Sequence, residues 1–110
     1  MKLLKPQLLE KDIQRQVIEW LNYHNFYAFR FNSGMISTGE GKTKRMVKLG
    51  EVGMPDVLAV KQGQFYGFEI KRPGKEPTFL QNLAHEKLRN YGAKVYTIHS
   101  VEELMAILGT

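Results

Sequence analysis

The chain has 110 residues, 43% hydrophobic and 25% charged, which suits one modest globular core and excludes two domains. It has no cysteine, which excludes a disulfide framework and a thiolate metal site. No apolar stretch approaches the roughly 18 residues that a membrane span requires, and a formal charge of +5 favours a polyanionic partner.

In chain order, residues 1–9 read as a short arm without the apolar core of a signal peptide, so a cytoplasmic protein with no membrane association is expected. Residues 10–23 carry Ile13, Val17, Trp20 and Leu21 at helical spacing, with Asp12, Gln14, Arg15 and Glu19 on the other sides. Residues 26–32 are aromatic-rich and predict the first strand, with Phe29 and Phe31 on one face and Ala28 and Arg30 on the other. Residues 33–53 predict a flexible, Gly-rich basic loop, with a short strand at Met46 and Val47 within it. Its cations Lys42, Lys44, Arg45 and Lys48, with Arg72 and Lys75 further on, are the candidate phosphate contacts, and Arg30 and Asn32 could join them.

Residues 56–61 and 64–71 predict two strands joined by a tight turn at Gln62 and Gly63. Two prolines exclude regular structure from residues 72–77. Thr78 is a candidate N-cap for a helix over 79–91, whose apolar face reads Leu80, Leu83, Ala84, Leu88 and Tyr91, with Gly92 as its stop. A strand over 95–98 and a helix over 101–108, capped by Ser100 with Glu103 at the capping-box position, complete the chain. The order predicts an α/β domain, a mixed sheet flanked by helices. Trp20, Phe26, Phe29, Phe31 and Phe68 are expected in the core.

Chemistry concentrates in two short blocks. Asp56 follows Gly53-Met54-Pro55 and opens an apolar run; Glu69-Ile70-Lys71 ends the next, 13 positions after Asp56. Side chains two apart on a strand leave the same face, so Glu69 and Lys71 point together. Pairing of the two runs as a hairpin brings Asp56 beside Glu69. Two carboxylates in one small volume repel unless a hard cation such as Mg²⁺ sits between them. The arrangement suggests metal-assisted phosphodiester hydrolysis, with Lys71 holding the attacking water or offsetting charge at phosphorus. His24, His85 and His99 show no ligand spacing, so no histidine-bound zinc site is expected.

Four blocks in order carry a family resemblance. They are Glu10 with Ile13-Gln14 and Trp20-Leu21; Gly53-x-Pro55-Asp56; Glu69-Ile70-Lys71; and Leu80-Gln81 with residues 88–93. Together they resemble the PD-(D/E)XK nuclease superfamily, and within it the VRR-NUC branch, in its stand-alone phage and bacterial form. The resemblance spans about Glu10 to Leu108 and implies a restriction-endonuclease-like α-β-β-β-α-β core. It implies Mg²⁺- or Mn²⁺-dependent DNA cleavage by a homodimer on branched duplex such as four-way junctions. It also implies a metal contact from Glu10 and from the Ile70 carbonyl, beside Asp56 and Glu69, and a role for Gln81 in orienting water or touching phosphate. Gln14, one turn beyond Glu10, could face the same site. The alternative reading is a non-catalytic nucleic-acid-binding module on the same scaffold.

Overall fold

The computed structural model describes residues 8–31, 35–38, 45–48 and 52–109. The elements run α1 (Glu10–Tyr23), β1 (Tyr27–Arg30), β2 (Met35–Thr38), β3 (Arg45–Lys48), β4 (Val57–Lys61), β5 (Gln64–Ile70), α2 (Phe79–Asn90), β6 (Lys94–Ile98) and α3 (Val101–Leu108). Strands β1, β4, β5 and β6 form one sheet in that order, with β6 parallel to β5 and the other pairs antiparallel. The crossover from β5 through α2 explains the one parallel pair, since parallel neighbours need a long connection. Taking α1, β1, β4, β5, α2 and β6 in turn gives the restriction-endonuclease-like α/β core.

Among the described residues, strands β2 and β3 pair only with each other, with Ile36 opposite Val47. The strand foreseen at Met46 and Val47 is thus β3, and β2 is its unforeseen partner. Residues 33–34, 39–44 and 49–51 of the expected basic loop, Lys42 and Lys44 among them, lie outside the described residues, as do Asn32 and most of the 1–9 arm.

The core lies between one face of the sheet and helices α1 and α3. Ile13, Val17 and Leu21 of α1 and Leu104 of α3 pack with Ala28, Val57, Ala59, Phe68, Ile70 and Ile98. Period two along β5 sends Phe68 and Ile70 into this core and Gly67 and Glu69 to the opposite face. Phe26 and Phe68 are buried as expected, and Trp20 packs partly buried against the core. Phe29 and Phe31 are not in that core; both are half-buried. The short first strand explains this, because Ala28 takes the inward position and so turns its neighbours away.

Local capping follows the residue types. Thr78 and Gln81 form a full capping box at the start of α2, and Ser100 Oγ accepts from the Glu103 N–H at 3.1 Å. The hairpin turn has positive φ at Gln62 (51°) and Gly63 (79°), the geometry that matches strand twist in a two-residue loop.

Helix α2 covers the second face, but not with its expected stripe. Leu80, Leu83 and Tyr91 are 55%, 50% and 87% exposed, and the residue buried on this helix is His85. The sheet beneath offers Leu58 and Val95 beside Gly67, and next to them the Glu69 carboxyl, so the helix turns His85 inward to meet that carboxyl. The displaced apolar side chains line a surface groove of about 440 Å³ with Val52 and Met54. No helix among the described residues is long and apolar enough to cross a membrane.

Candidate active site

The β4–β5 register sets Val57 opposite Phe68, and one further step sets Asp56 opposite Glu69. Directly opposed residues on an antiparallel pair project from the same face, with their Cβ atoms close. Asp56 sits just before β4, where the ladder ends and the Ile70 N–H has no carbonyl opposite it on that strand. The carboxylate takes the role instead: Asp56 Oδ2 accepts from Ile70 N–H at 2.9 Å. On the other side the Asp56 carbonyl accepts from Phe31 N–H at 2.7 Å, extending the pairing with β1.

The turn leading into Asp56 is clamped from two directions. Pro55 is buried, and a Cβ on Gly67 would lie 2.7 Å from its Cγ, so the proline ring fills the space a side chain at 67 would take. Gly53, at φ +84°, lies against the first turn of α2, where its missing Cβ would meet the Leu80 carbonyl oxygen at 2.6 Å. These contacts tie Asp56 to β5 and to the start of α2 together.

Glu69 is 1% exposed, not a solvent-facing strand residue. Its Oε1 lies 2.9 Å from His85 Nε2, and His85 is also 1% exposed. Burial, together with the nearby Arg89 cation, pulls His85 below its usual value despite the Asp56 charge. The neutral imidazole then donates its Nε2–H to the carboxylate. Glu69 Oε2 is buried and has no hydrogen-bond partner among the described residues when both carboxyls are ionised.

The electrostatics register this crowding. Burial, a hydrogen bond shared with the Glu69 carboxyl and the Glu69 charge push Asp56 from its ordinary 3.8 to about 7, against the Ile70 N–H and Lys71. Burial raises Glu69 as well; the Asp56 contact and the Lys71 charge oppose that shift, and the charge of Glu10 adds to it. Two carboxyls that resist ionising together are what a divalent cation relieves. Lys71 is half-buried and its charge reaches Asp56, Glu69 and His85.

Asp56 opens into a cleft of about 300 Å³ lined also by Gln14, Arg30, Phe31, Gly53 and Gln81. Gln81 spends its Oε1 on the Thr78 N–H at 2.8 Å, which leaves its amide N–H groups available to the cleft. Glu10 enters as a negative charge felt at Glu69. Among the described residues no three His, Asp or Glu side chains gather as a metal cage. The donor set is instead two carboxyls, a lysine and backbone.

Arg72 and Lys75 lie exposed on the loop that follows Lys71. His99 ties this loop down. Its Nε2 donates to the Lys75 carbonyl at 2.9 Å and its Nδ1 lies 3.0 Å from Glu103 Oε2. Burial works against the charged ring, but the bonds to Glu103 and Lys75 outweigh it and raise His99. Arg45 and Lys48 take their places on β3.

His85 was invisible to motif spacing because it has no second histidine to pair with. A signal was present nonetheless. Counting from the Thr78 cap, His85 falls one turn after Gln81, on the helix face that must cover the Glu69 side of the sheet.

No protein-family model matches the sequence, and no curated protein matches it. Solved structures do match, and one of them is described as a VRR_NUC domain. It aligns with 90% of this chain and 92% of its own at a TM-score of 0.66, with 21% sequence identity. The chain therefore has the fold of a VRR_NUC domain, with Asp56, Glu69 and Lys71 gathered where its second and third core strands meet.

Proposed function

We propose that the protein is a divalent-metal-dependent DNA endonuclease that hydrolyses phosphodiester bonds in branched duplex such as four-way junctions. We read it as a single-domain, cytoplasmic homodimer, since two cuts on a symmetric junction require two sites. The observation that carries the reading is the convergence of Asp56, Glu69 and Lys71, with Glu69 Oε2 buried and unpartnered. An all-oxygen donor set with crowded carboxyls fits Mg²⁺ or Mn²⁺. Asp56, Glu69 and the Ile70 carbonyl would hold the ion, with Glu10 in outer contact. When bound, the ion lowers the pKa of a coordinated water and offsets charge on the phosphate oxygens.

The protein's own groups supply the rest. Lys71 holds the attacking water, or offsets negative charge as it develops at phosphorus, from a backbone pinned by its N–H to the Ile98 carbonyl at 3.0 Å. Gln81 offers its amide N–H groups to a phosphate oxygen or water in the cleft. Arg72 and Lys75, with Lys42, Lys44, Arg45 and Lys48, position the duplex through its backbone rather than read its sequence.

The test is cleavage of labelled four-way junction, flap and linear duplex in Mg²⁺, in Mn²⁺ and in EDTA. Junction cleavage is expected with metal and none in EDTA. Lys71→Ala is expected to cut roughly 10²- to 10³-fold more slowly with unchanged melting temperature. Full activity in that variant would remove the assigned role of Lys71. Junction binding without cutting in either metal would establish the non-catalytic binding module instead.

A further inference from the structure

We propose that His85 is the positioning residue of the site: by donating from Nε2 to Glu69 Oε1 it holds the carboxylate so that Oε2 stays free as the metal-binding oxygen. The inference rests on the metal-dependent reading above and adds a residue that its motifs do not contain.

Three observations carry it. The His85–Glu69 contact is 2.9 Å long and both side chains are 1% exposed, so no water competes for either partner. The two oxygens of Glu69 are unequal, since Oε1 meets the imidazole and, with Asp56 ionised, no group among the described residues donates to Oε2. A buried histidine stands on the α2 face that covers the sheet, while Leu80, Leu83 and Tyr91 of the same helix are left in solvent. Simple burial of apolar area would choose the opposite orientation. Without the imidazole, Glu69 could rotate about its side-chain torsions and settle on Lys71. Outer hydrogen-bond partners of metal ligands commonly set affinity in this way.

Three proteins separate the outcomes: wild type, His85→Leu, which removes the donor at similar volume, and His85→Gln, which returns an N–H near the Nε2 position. Mg²⁺ and Mn²⁺ affinity is measured by calorimetry on metal-free protein, beside melting temperature in EDTA and the ¹⁵N signature of the wild-type ring. The expected ring signature is the Nε2–H form with a bare Nδ1. His85→Leu is expected to bind metal about 10- to 100-fold more weakly, with His85→Gln recovering most of the loss.

Equal affinity in wild type and His85→Leu overturns the proposal while leaving the nuclease reading intact. A bare Nε2 in the wild-type ring also overturns it. If His85→Leu fails to fold, the comparison rests on His85→Gln, and a His85→Gln protein that folds but has lost metal affinity overturns the donor role. Wild type that binds neither ion up to millimolar concentration overturns both readings, and so tells the two failures apart.

Discussion

Asp56→Asn is expected to abolish cleavage and, in the same protein, to raise the stability of the metal-free fold at pH 8. The two effects have one origin. Asp56 is forced to about 7 from its ordinary 3.8 by burial and by the Glu69 carboxyl beside it. Its folded-state value thus lies above its unfolded one. Between the two values the folded chain holds a proton that the unfolded chain has lost, so stability falls as pH rises through that window. The favourable contribution is fully present below 3.8 and gone once pH passes about 7.

A displacement of that size corresponds to about 4 kcal/mol, and partial exposure of the side chain reduces it, so about 2 to 4 kcal/mol is at stake. Asparagine keeps an oxygen for the Ile70 N–H and carries no charge to desolvate. Melts in EDTA should therefore show Asp56→Asn above wild type by roughly 10 °C at pH 8. The gap should close as pH falls toward 4. Mg²⁺ should stabilise wild type, which binds it only when folded, and leave the variant unmoved. Loss of a metal-binding carboxylate costs several kcal/mol of transition-state stabilisation, so cleavage should drop on the order of 10³-fold or more. A variant that melts below wild type at pH 8 would show that the carboxylate is not strained in the metal-free fold.

The convergence of these side chains was legible in the sequence for a simpler reason. Strand periodicity and hairpin pairing are local rules, and they suffice to put Asp56, Glu69 and Lys71 on one side of one end of a sheet. Helix α1 and helix α3 were legible because Ile13, Val17 and Leu21, and separately Leu104, face a core built from their own apolar spacing. What the sequence could not disclose depends on which surface each element meets. The apolar spacing of α2 predicts a buried stripe at Leu80, Leu83 and Tyr91, but the sheet face below that helix holds the buried Glu69 carboxyl beside Leu58, Gly67 and Val95, and α2 meets that carboxyl with His85. Met35–Thr38 carries too little period-two contrast over four residues to be read as a strand, and only its partner Arg45–Lys48 makes it one. The depth of Glu69 was likewise hidden, since a strand-end Glu beside a lysine usually faces water.

Gly53 shows a constraint of this second kind, and Gly53→Ala is expected to damage fold and site together. A Cβ at this position would stand 2.6 Å from the Leu80 carbonyl oxygen, 2.9 Å from its carbon and 3.2 Å from Gln81 Cα. All three atoms are backbone of the first turn of α2, so no side chain can swing aside. The φ of +84° adds strain of about 1 to 2 kcal/mol for a residue with a Cβ. The turn must therefore move away from α2, carrying Pro55 and Asp56 with it. A total loss of about 2 to 4 kcal/mol is expected, measurable by urea denaturation. Gly63→Ala is the matched control: its φ is +79° but nothing lies within 4 Å of the added atom. It should cost only the conformational strain, on the order of 1 kcal/mol, and leave cleavage and metal affinity unchanged. A shift of Asp56 by even 1 Å takes it off the Ile70 N–H, so Gly53→Ala should also bind Mg²⁺ more weakly in the fraction that remains folded. Equal behaviour of the two alanine variants would mean that the glycine at 53 serves backbone freedom alone, and that its packing against α2 does not hold Asp56 in place.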